Sequence, residues 1–225
     1  AVSARTFGVV AAVAPAITSN GGGATASINV AENSTAVTTV VASDADTPAA
    51  SLVYSIIGGA DMGRFSIGSS SGVLTFSAAP DYESPVDVGM NNVYDVVVEV
   101  SDGGLTDTQA IAVTVTNVNE APTATNLSAA ESYTEDTALN LTNIVISDVD
   151  SATVTATLTL SAPAAGSLNT ATSGAVTSTY NAGTGVWSAS GAIADVNTLL
   201  ASLTFTPTLN YNGNFSIATS VSDGV

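Results

Sequence analysis

Apolar and polar residues alternate along much of the chain, with the two-residue period that is typical of β-strands rather than helices. The longest alternating runs cover residues 94–100 and 109–116. A shorter pair of runs flanks a Gly/Ser turn within residues 65–76, and this arrangement predicts a β-hairpin. Further strands are predicted at residues 24–30, 37–42 and 52–56. The first half of the chain is therefore predicted to be all-β.

The same order of elements recurs in the second half of the chain. Strands are predicted at residues 139–147, 153–160 and 215–222, with a hairpin that runs through Gly166 and Gly174 to Trp187. A repeat of about 100 residues is typical of tandem β-sandwich domains. One segment departs from the β pattern, because its apolar residues fall on one face of a helix and predict a short helix over residues 192–202. These residues are Ile193, Val196, Leu199, Leu200 and Leu203.

The charged residues of the chain limit the kinds of molecule that it is expected to bind. The chain has 19 acidic residues, two basic residues (Arg5 and Arg64), no Lys, His or Cys, and a net charge of −17. Nucleic acids and anionic membranes require basic patches, so neither is an expected partner, whereas cations are. No apolar stretch approaches the length of a membrane-spanning helix, and the apolar run at residues 7–14 is too short and too close to Pro15 for a signal peptide. Residues 1–14 are therefore interpreted as part of the mature chain.

Five short polar motifs surround Pro122 and supply carboxylate and amide oxygens. Asp148 and Asp150 are two residues apart in an extended segment, as are Asn117 and Asn119, so each pair can face one ion. A hard cation such as Ca²⁺ takes about 6–8 oxygen ligands in irregular geometry. The alternative is that these residues are solvated turn residues, since Asp and Asn favour turns. The candidate metal ligands are Glu32, Asp81, Glu83, Asn117, Asn119, Glu120, Asp148, Asp150 and Asp223.

The order of these motifs resembles the cadherin repeat, in which a Glu motif, an Asp-x-Glu motif and an Asn-rich linker before Pro meet the Asp-x-Asp motif of the next domain. The chain carries them as Glu32, Asp81-Tyr82-Glu83, residues 117–122 and Asp148-Val149-Asp150. Glu120 stands where the family usually has Asp, and the second Asn before Ala-Pro is absent. The second copy, with its helix, is similar to the cadherin-like repeats of large bacterial surface proteins.

This resemblance implies two tandem Ig-like Greek-key β-sandwiches, over residues 15–121 and 122–225, preceded by an N-terminal strand in residues 1–14. It also implies calcium at the internal junction and a structural or adhesive role at the cell surface. Expected partners are copies of the chain itself or other cell-surface proteins and glycans.

The outer ends of the two copies carry fewer potential ligands. Asp44, Asp46 and Asp102 are interpreted either as a partial metal site or as solvated loop residues. In the second copy, Asn210-Tyr211-Asn212 replaces the Asp-x-Glu motif and has no carboxylate. Calcium is therefore expected chiefly at the internal junction.

The two copies of the repeat do not contain the same set of predicted strands. The second copy stops just after Ser222-Asp223-Gly224, so the strand that corresponds to residues 109–116 is missing from it. At the other end, Phe7, Val9, Ala11 and Val13 form one alternating apolar face. One interpretation is that this segment is donated to the second domain of a neighbouring copy, giving a head-to-tail fibre. The other is that the chain was cut from a longer tandem array.

An enzyme is not expected. Residues 68–72 match the Gly-x-Ser-x-Gly pattern, but that motif requires a strand-to-helix turn and a His base, and the chain has no His. The segment is interpreted as a hairpin turn. The alternative function is a carbohydrate-binding or accessory domain of a secreted polysaccharide-active protein, with Trp187 and the tyrosines as candidate sugar-binding residues.

Overall fold

The computed structural model describes residues 11–225, which fall in two compact units, Ala1–Val118 and Asn119–Val225. Both units consist mainly of β-strands, which confirms the all-β class predicted from the alternating pattern. Phe7 and Val9 lie outside the described residues, whereas Ala11 and Val13 are exposed. Within residues 11–225, no helix is long and apolar enough to span a bilayer.

Unit 1 contains short and long strands in an order close to the predicted one. They are β1 (Ala16–Ile17), β2 (Thr25–Ala31), β3 (Ala36–Thr39), β4 (Ala42–Ser43), β5 (Val53–Gly58), β6 (Phe65–Ile67), β7 (Val73–Phe76), β8 (Val93–Ser101) and β9 (Thr106–Thr116). Short 3-10 turns occur at Ala49–Ser51 and Met62–Arg64.

Two sheets form the sandwich of unit 1. One has the order β2-β9-β8-β5, with β2 parallel to β9 and the other pairs antiparallel, and the second has the order β3-β7-β6. The alternating residues Tyr94, Val96, Val98 and Val100 of β8 are all buried. They face the core because successive strand residues point to opposite sides of a sheet. Phe76 packs against Phe65 and Tyr94, with ring centroids 4.7 and 5.2 Å apart, respectively.

The Gly/Ser segment at residues 68–72 is the turn between β6 and β7, as the hairpin pattern predicts. Gly72 has a φ of +67°, a conformation that favours glycine, and a Cβ atom at this position would collide with the carbonyl oxygen of Val40. The Gly-x-Ser-x-Gly match is therefore explained by turn geometry.

Unit 2 is built from more and shorter strands and one helix. The strands are β10 (Thr123–Ala124), β11 (Leu139–Asn140), β12 (Ile146–Ser147), β13 (Thr153–Leu160), β14 (Gly166–Leu168), β15 (Thr172–Ser173), β16 (Val176–Thr177), β17 (Thr179–Asn181), β18 (Val186–Ala192), β19 (Thr204–Pro207) and β20 (Ile217–Ser222). The helix is α1 (Ile193–Ala201), and a 3-10 turn lies at Pro163–Ala165.

The larger sheets of unit 2 have the orders β17-β18-β13-β20 and β11-β19-β14. Strand β13 has the predicted bounds, and α1 confirms the predicted helix, with Val196, Leu199 and Leu200 buried on its inner face. The single strand predicted at residues 139–147 is wrong. The chain there pairs first with β19 and then with β10, so only its two ends are strands.

Trp187 lies in the core of unit 2 and is fully buried. Its indole Nε1 donates a hydrogen bond to the carbonyl oxygen of Asn169 at 3.0 Å. A sugar-binding Trp must expose its ring face, so Trp187 is a core residue and gives no support to the carbohydrate-binding alternative.

Candidate metal-binding residues in each unit

Glu32 directly follows β2 and is buried, with 3% of its surface exposed. One carboxylate oxygen accepts a hydrogen bond from the Tyr82 backbone N–H at 2.7 Å, and the other accepts one from the Val118 backbone N–H at 2.8 Å. A buried carboxylate needs such partners, because an ionised group without them is strongly destabilised. These two bonds fix the orientation of the Glu32 carboxylate between two chain segments.

Asp81 and Glu83 lie in the turn that contributes the Tyr82 N–H. One oxygen from each of Glu32, Asp81 and Glu83 lies within 4.8 Å of the other two. Asn117, which directly follows β9, donates a hydrogen bond from its Nδ2 to Glu83 Oε1 at 2.7 Å. Asp81 Oδ1 also accepts a hydrogen bond from the Ser84 backbone N–H. The structure thus gathers the four predicted ligands of unit 1 into one cluster, which we call the unit 1 acidic cluster.

Asp148 and Asp150 follow β12 in unit 2. Asp148 Oδ1 accepts hydrogen bonds from the backbone N–H groups of Asp150 and Ser151, at 2.9 and 2.8 Å. These bonds form a tight turn of the kind that Asp favours. Asp148 Oδ2 is buried but has no hydrogen-bond partner among the described residues. A buried acceptor of this kind is rare in folded proteins, and a bound cation would satisfy it.

The linker residues of unit 2 are bound to the same region. The Glu120 backbone N–H donates to Asp150 Oδ2 at 2.6 Å, and Asn119 Nδ2 donates to Asp223 Oδ2 at 2.6 Å. The hydrogen bond from Asn119 lowers the pKa of Asp223, and the Val225 backbone N–H lowers it further, although desolvation and, to a smaller extent, the negative charge of Asp150 oppose this change. We call Asn119, Glu120, Asp148, Asp150 and Asp223 the unit 2 acidic cluster.

The turn around Asp148 has a close counterpart in unit 1 at Asp44, for which the sequence leaves a partial metal site and a solvated loop as alternatives. Asp44 Oδ1 accepts hydrogen bonds from the backbone N–H groups of Asp46 and Thr47, and Asp44 Oδ2 is buried without a hydrogen-bond partner among the described residues. The hydrogen bond from Asp46 is the main cause that lowers the pKa of Asp44. The Val13 backbone N–H donates to Asp46 Oδ2 at 3.1 Å, as that of Glu120 does to Asp150.

Two other acidic residues accept hydrogen bonds from backbone N–H groups. Asp102 Oδ1 accepts hydrogen bonds from the backbone N–H groups of Gly104 and Leu105. Asp136 Oδ1 accepts one from the Asn210 backbone N–H, at the position where the second copy lacks the Asp-x-Glu motif. Asp102 therefore has a local role in a turn, whereas Asp136 connects two segments that are distant in the sequence.

The donor atoms of both clusters fit a hard divalent cation. All predicted ligands are carboxylates or Asn amides, and oxygen donors suit Ca²⁺ or Mg²⁺, whereas zinc sites commonly contain His or Cys, which this chain lacks. Ca²⁺ tolerates an irregular set better than Mg²⁺, which demands near-octahedral geometry. The buried oxygen of Asp148 that accepts no hydrogen bond from the described residues has its lone pairs available to such a cation.

Comparison with known proteins gives a family match within the first unit. Residues 26–118 match the family model of the cadherin domain. The match contains Glu32, Asp81, Glu83 and Asn117, and it confirms the family resemblance and the extracellular location expected from the sequence. Cadherin domains generally bind calcium, which agrees with the donor atoms of the unit 1 acidic cluster.

Individual relatives are larger than this chain. Human Protocadherin-23 is 34% identical over an alignment of 117 residues, which covers 49% of this chain and 3% of that protein. Among solved structures, mouse Cadherin-23 EC22-24 is 17% identical with a TM-score of 0.43, and the alignment covers 92% of this chain and 65% of that chain. Drosophila N-cadherin EC1-4 is 18% identical with a TM-score of 0.42, over 93% of this chain and 49% of that chain.

Proposed function

We propose that this chain is a calcium-binding structural and adhesive module of an extracellular protein. The observation that carries the proposal is the unit 1 acidic cluster, where Glu32, Asp81 and Glu83 each bring a carboxylate oxygen within 4.8 Å of the others. Like charges at this distance repel one another, and the chain has only two basic residues to balance 19 acids. The match of residues 26–118 to the cadherin domain supports adhesion rather than catalysis as the function.

The residues proposed to hold calcium are the nine predicted ligands. Glu32, Asp81, Glu83 and Asn117 belong to unit 1, whereas the unit 2 acidic cluster supplies the other five. When bound, calcium supplies the positive charge and coordination positions that offset the repulsion among these carboxylates. The protein contributes the orientation of each carboxylate, through the backbone N–H groups bound to Glu32 and Asp148.

Calcium binding would restrain the linker between the two units, at residues 116–123. Asn117 is hydrogen-bonded within unit 1 to Glu83, and Asn119 is hydrogen-bonded within unit 2 to Asp223, with only Val118 between them in the sequence. We propose that calcium binding by both sets of ligands limits the backbone motion of residues 116–123. Pro122 fixes only its own φ angle and leaves the other linker dihedrals free.

The first experiment tests calcium binding at one carboxylate. In the full chain, Glu83→Gln removes one charge of the unit 1 acidic cluster with little change of shape, so calcium should bind at least about tenfold more weakly, as measured by isothermal titration calorimetry. The melting temperature should fall relative to wild type in calcium and stay close to wild type in EGTA, because a ligand stabilises the state that binds it. Glu99→Gln, on β8 and outside the cluster, is the matched control.

A second pair of variants tests calcium binding by the unit 2 acidic cluster. Asp150→Asn should weaken calcium binding, whereas Asp195→Asn on α1 should not, since Asn keeps the acceptor for the hydrogen bond from Ser173 Oγ. If Glu83→Gln and Glu99→Gln have equal effects, or if wild-type protein melts at the same temperature in calcium and in EGTA, the calcium proposal is wrong.

We further propose that copies of the chain assemble head to tail, by donation of an N-terminal strand in residues 5–13 to the second unit of the next copy. The support is the alternating apolar pattern of Phe7, Val9, Ala11 and Val13, which resembles that of β9. Donor and acceptor are different surfaces, so such contacts propagate into a filament rather than closing into a dimer.

A further inference from the structure

The helix α1 of unit 2 is hydrogen-bonded to β12, the strand that leads into the turn of Asp148 and Asp150. Asn197 of this helix donates from its Nδ2 to the Ile146 carbonyl oxygen at 2.9 Å, and its Oδ1 accepts from the Ile146 N–H at 2.8 Å. Ile146 lies in β12, two residues before Asp148. The side-chain amide of Asn197 therefore pairs with Ile146 as the backbone of a neighbouring strand would.

A second hydrogen bond connects α1 to the chain on the other side of the turn. The backbone N–H of Ile193, the first residue of α1, donates to the Ala152 carbonyl oxygen at 3.1 Å. Ala152 directly follows Ser151, whose N–H is bound to Asp148 Oδ1. The helix therefore holds the chain both before and after residues 147–151, and the turn lies between the two attachments.

The backbone of Ile146 needs these partners, because β12 pairs with a strand on one side only. Its sheet has two strands, so β10 is its only strand partner among the described residues. Ile146 is 2% exposed, and an unpaired N–H or C=O group in such surroundings is strongly unfavourable. Asn197 supplies both missing hydrogen bonds with one side chain.

Unit 1 binds the equivalent backbone position with a different side chain. Ala42 of β4 lies two residues before Asp44, the counterpart of Asp148. Its N–H donates to the hydroxyl oxygen of Tyr54 on β5 at 3.2 Å. In each unit, a side chain from outside the two-stranded sheet thus binds the backbone two residues before the first Asp of the Asp-x-Asp motif.

The sequence of unit 2 explains why a helix takes over this contact. Strand β13 follows the Asp-x-Asp motif of unit 2 as β5 follows that of unit 1, and it consists only of Thr, Val, Ala and Leu. None of these side chains carries a hydroxyl group as far from the backbone as that of Tyr54. The same backbone position is therefore bound in both units, by side chains of different type and origin.

We propose that Asn197 is a positioning residue for calcium binding by the unit 2 acidic cluster, and that it acts by holding the backbone that leads to Asp148. The inference rests on the calcium-binding function proposed above and assigns a supporting residue to it. Asp148 Oδ2 is buried without a hydrogen-bond partner among the described residues, so its direction depends on the turn that carries it. Partners that orient metal ligands in this way commonly contribute about 10–100-fold to metal affinity.

Calcium binding by the full chain measures the effect on the site. Asn197→Ala should raise the calcium Kd at least about fivefold in isothermal titration calorimetry, because the carboxylate of Asp148 is then no longer held in one direction. Thr198→Ala is the matched control, since Thr198 is the next residue of α1, is exposed, and donates its hydroxyl hydrogen bond to the Ala194 carbonyl oxygen within the helix. Its Kd should differ from that of wild type by less than about twofold.

Amide hydrogen exchange in EGTA measures the turn itself, in the absence of calcium. The N–H groups of Asp150 and Ser151 are hydrogen-bonded to Asp148 Oδ1, so their exchange rates report how firmly the turn is held. Asn197→Ala should accelerate exchange at both residues at least about fivefold by NMR, whereas Thr198→Ala should leave both rates within about twofold of wild type.

A double-mutant cycle separates positioning from a general loss of stability. Asp148→Ala removes the carboxylate through which Asn197 is proposed to act, so the addition of Asn197→Ala to it should raise the Kd by less than about twofold further. A residue that only stabilises unit 2 would instead lower the melting temperature in EGTA in both backgrounds and leave the Kd of the folded protein unchanged. If circular dichroism in EGTA shows that Asn197→Ala does not fold, Asn197→Gln replaces it in the same comparisons, because Gln keeps the amide but displaces it by one methylene group.

Three results would each overturn the proposal. They are equal effects of Asn197→Ala and Thr198→Ala on the Kd, an undiminished effect of Asn197→Ala in the Asp148→Ala background, and unchanged exchange at Asp150 and Ser151. The calcium function can fail separately. Wild-type protein that binds no calcium, with the exchange difference present, contradicts the calcium function but supports Asn197 as the residue that holds the turn. Calcium binding without a difference between the two α1 variants contradicts only the role of Asn197.

Discussion

Hydrogen bonds from backbone N–H groups and Asn side-chain amides orient the acidic residues of the two clusters. Glu32 is bound through both carboxylate oxygens, and Asp148 through one, so each carboxylate has a fixed direction before any cation binds. Pre-oriented ligands reduce the conformational entropy lost on binding. Asn119 has the same effect on Asp223, through one side-chain hydrogen bond of 2.6 Å.

This contact gives a prediction about protonation. In the absence of calcium, Asn119→Ala should raise the pKa of Asp223 toward its usual value, since the hydrogen bond from Asn119 is the main cause of its lowered pKa. A carboxyl group with a lowered pKa in the folded state stabilises that state above the unfolded pKa, and this stabilisation is lost as pH falls through the folded pKa. Carboxyl ¹³C NMR titration of Asp223 measures the change. Asn212→Ala is the control, and an unchanged pKa in Asn119→Ala would exclude the proposed cause.

At the scale of elements, turns between strands set where each motif lies. The β6–β7 turn ends at Gly72, whose positive φ and close approach to Val40 leave no room for a side chain. The unit 1 acidic cluster likewise depends on the turn at residues 81–83, which places the Tyr82 N–H against Glu32.

Gly72→Ala should therefore destabilise unit 1 by more than about 1 kcal/mol, because alanine is strained at this φ and its Cβ would displace the backbone. Gly63→Ala is the control, since its φ is not in the left-handed region and its added Cβ would meet nothing within 4 Å. Urea unfolding of both variants measures the difference. Equal stability of the two variants would show that the hairpin relaxes without penalty.

Local patterns predicted the elements well where burial alternates along one strand. Residues 153–160 were predicted with their exact ends because every second residue of β13 faces the core. The prediction at residues 139–147 failed because the chain there changes partners, from β19 to β10, and a hydrophobic pattern does not record which strand is the neighbour.

The sequence predicted which residue types form the candidate site, but it did not predict their arrangement in space. The ligand types of Glu32, Asp81 and Glu83 follow from the motifs, yet their proximity depends on contacts between distant segments. The similarity of Asp44 to Asp148 was likewise undecided, because both sequences are Asp-x-Asp and only the hydrogen bonds show equivalent turns.

At the scale of the whole molecule, the net charge of −17 is the dominant electrostatic feature. Self-repulsion of this size destabilises a compact chain, and dissolved salt screens it over a distance of about 10 Å at 0.1 M. Calcium and simple salt should therefore partly replace one another in stabilising the protein.

The melting temperature in EGTA should rise as KCl increases from 0.02 to about 0.5 M, where screening is strong. In saturating calcium the same salt series should have a smaller effect, because the bound cation already offsets the carboxylates. Differential scanning calorimetry of the full chain measures both series. A melting temperature in EGTA that is independent of KCl would show that repulsion among the acids does not limit stability.

The parallel pairing of β2 with β9 has a mechanical consequence for unit 1. The chain enters this pair at residue 25 and leaves it at residue 116, and because the strands are parallel these two points lie at opposite ends of the ladder. Tension applied between them runs along the strands and loads the hydrogen bonds in shear, so they must break together rather than one after another. A covalent chain pulled through this unit therefore meets resistance from the whole β2–β9 ladder at once.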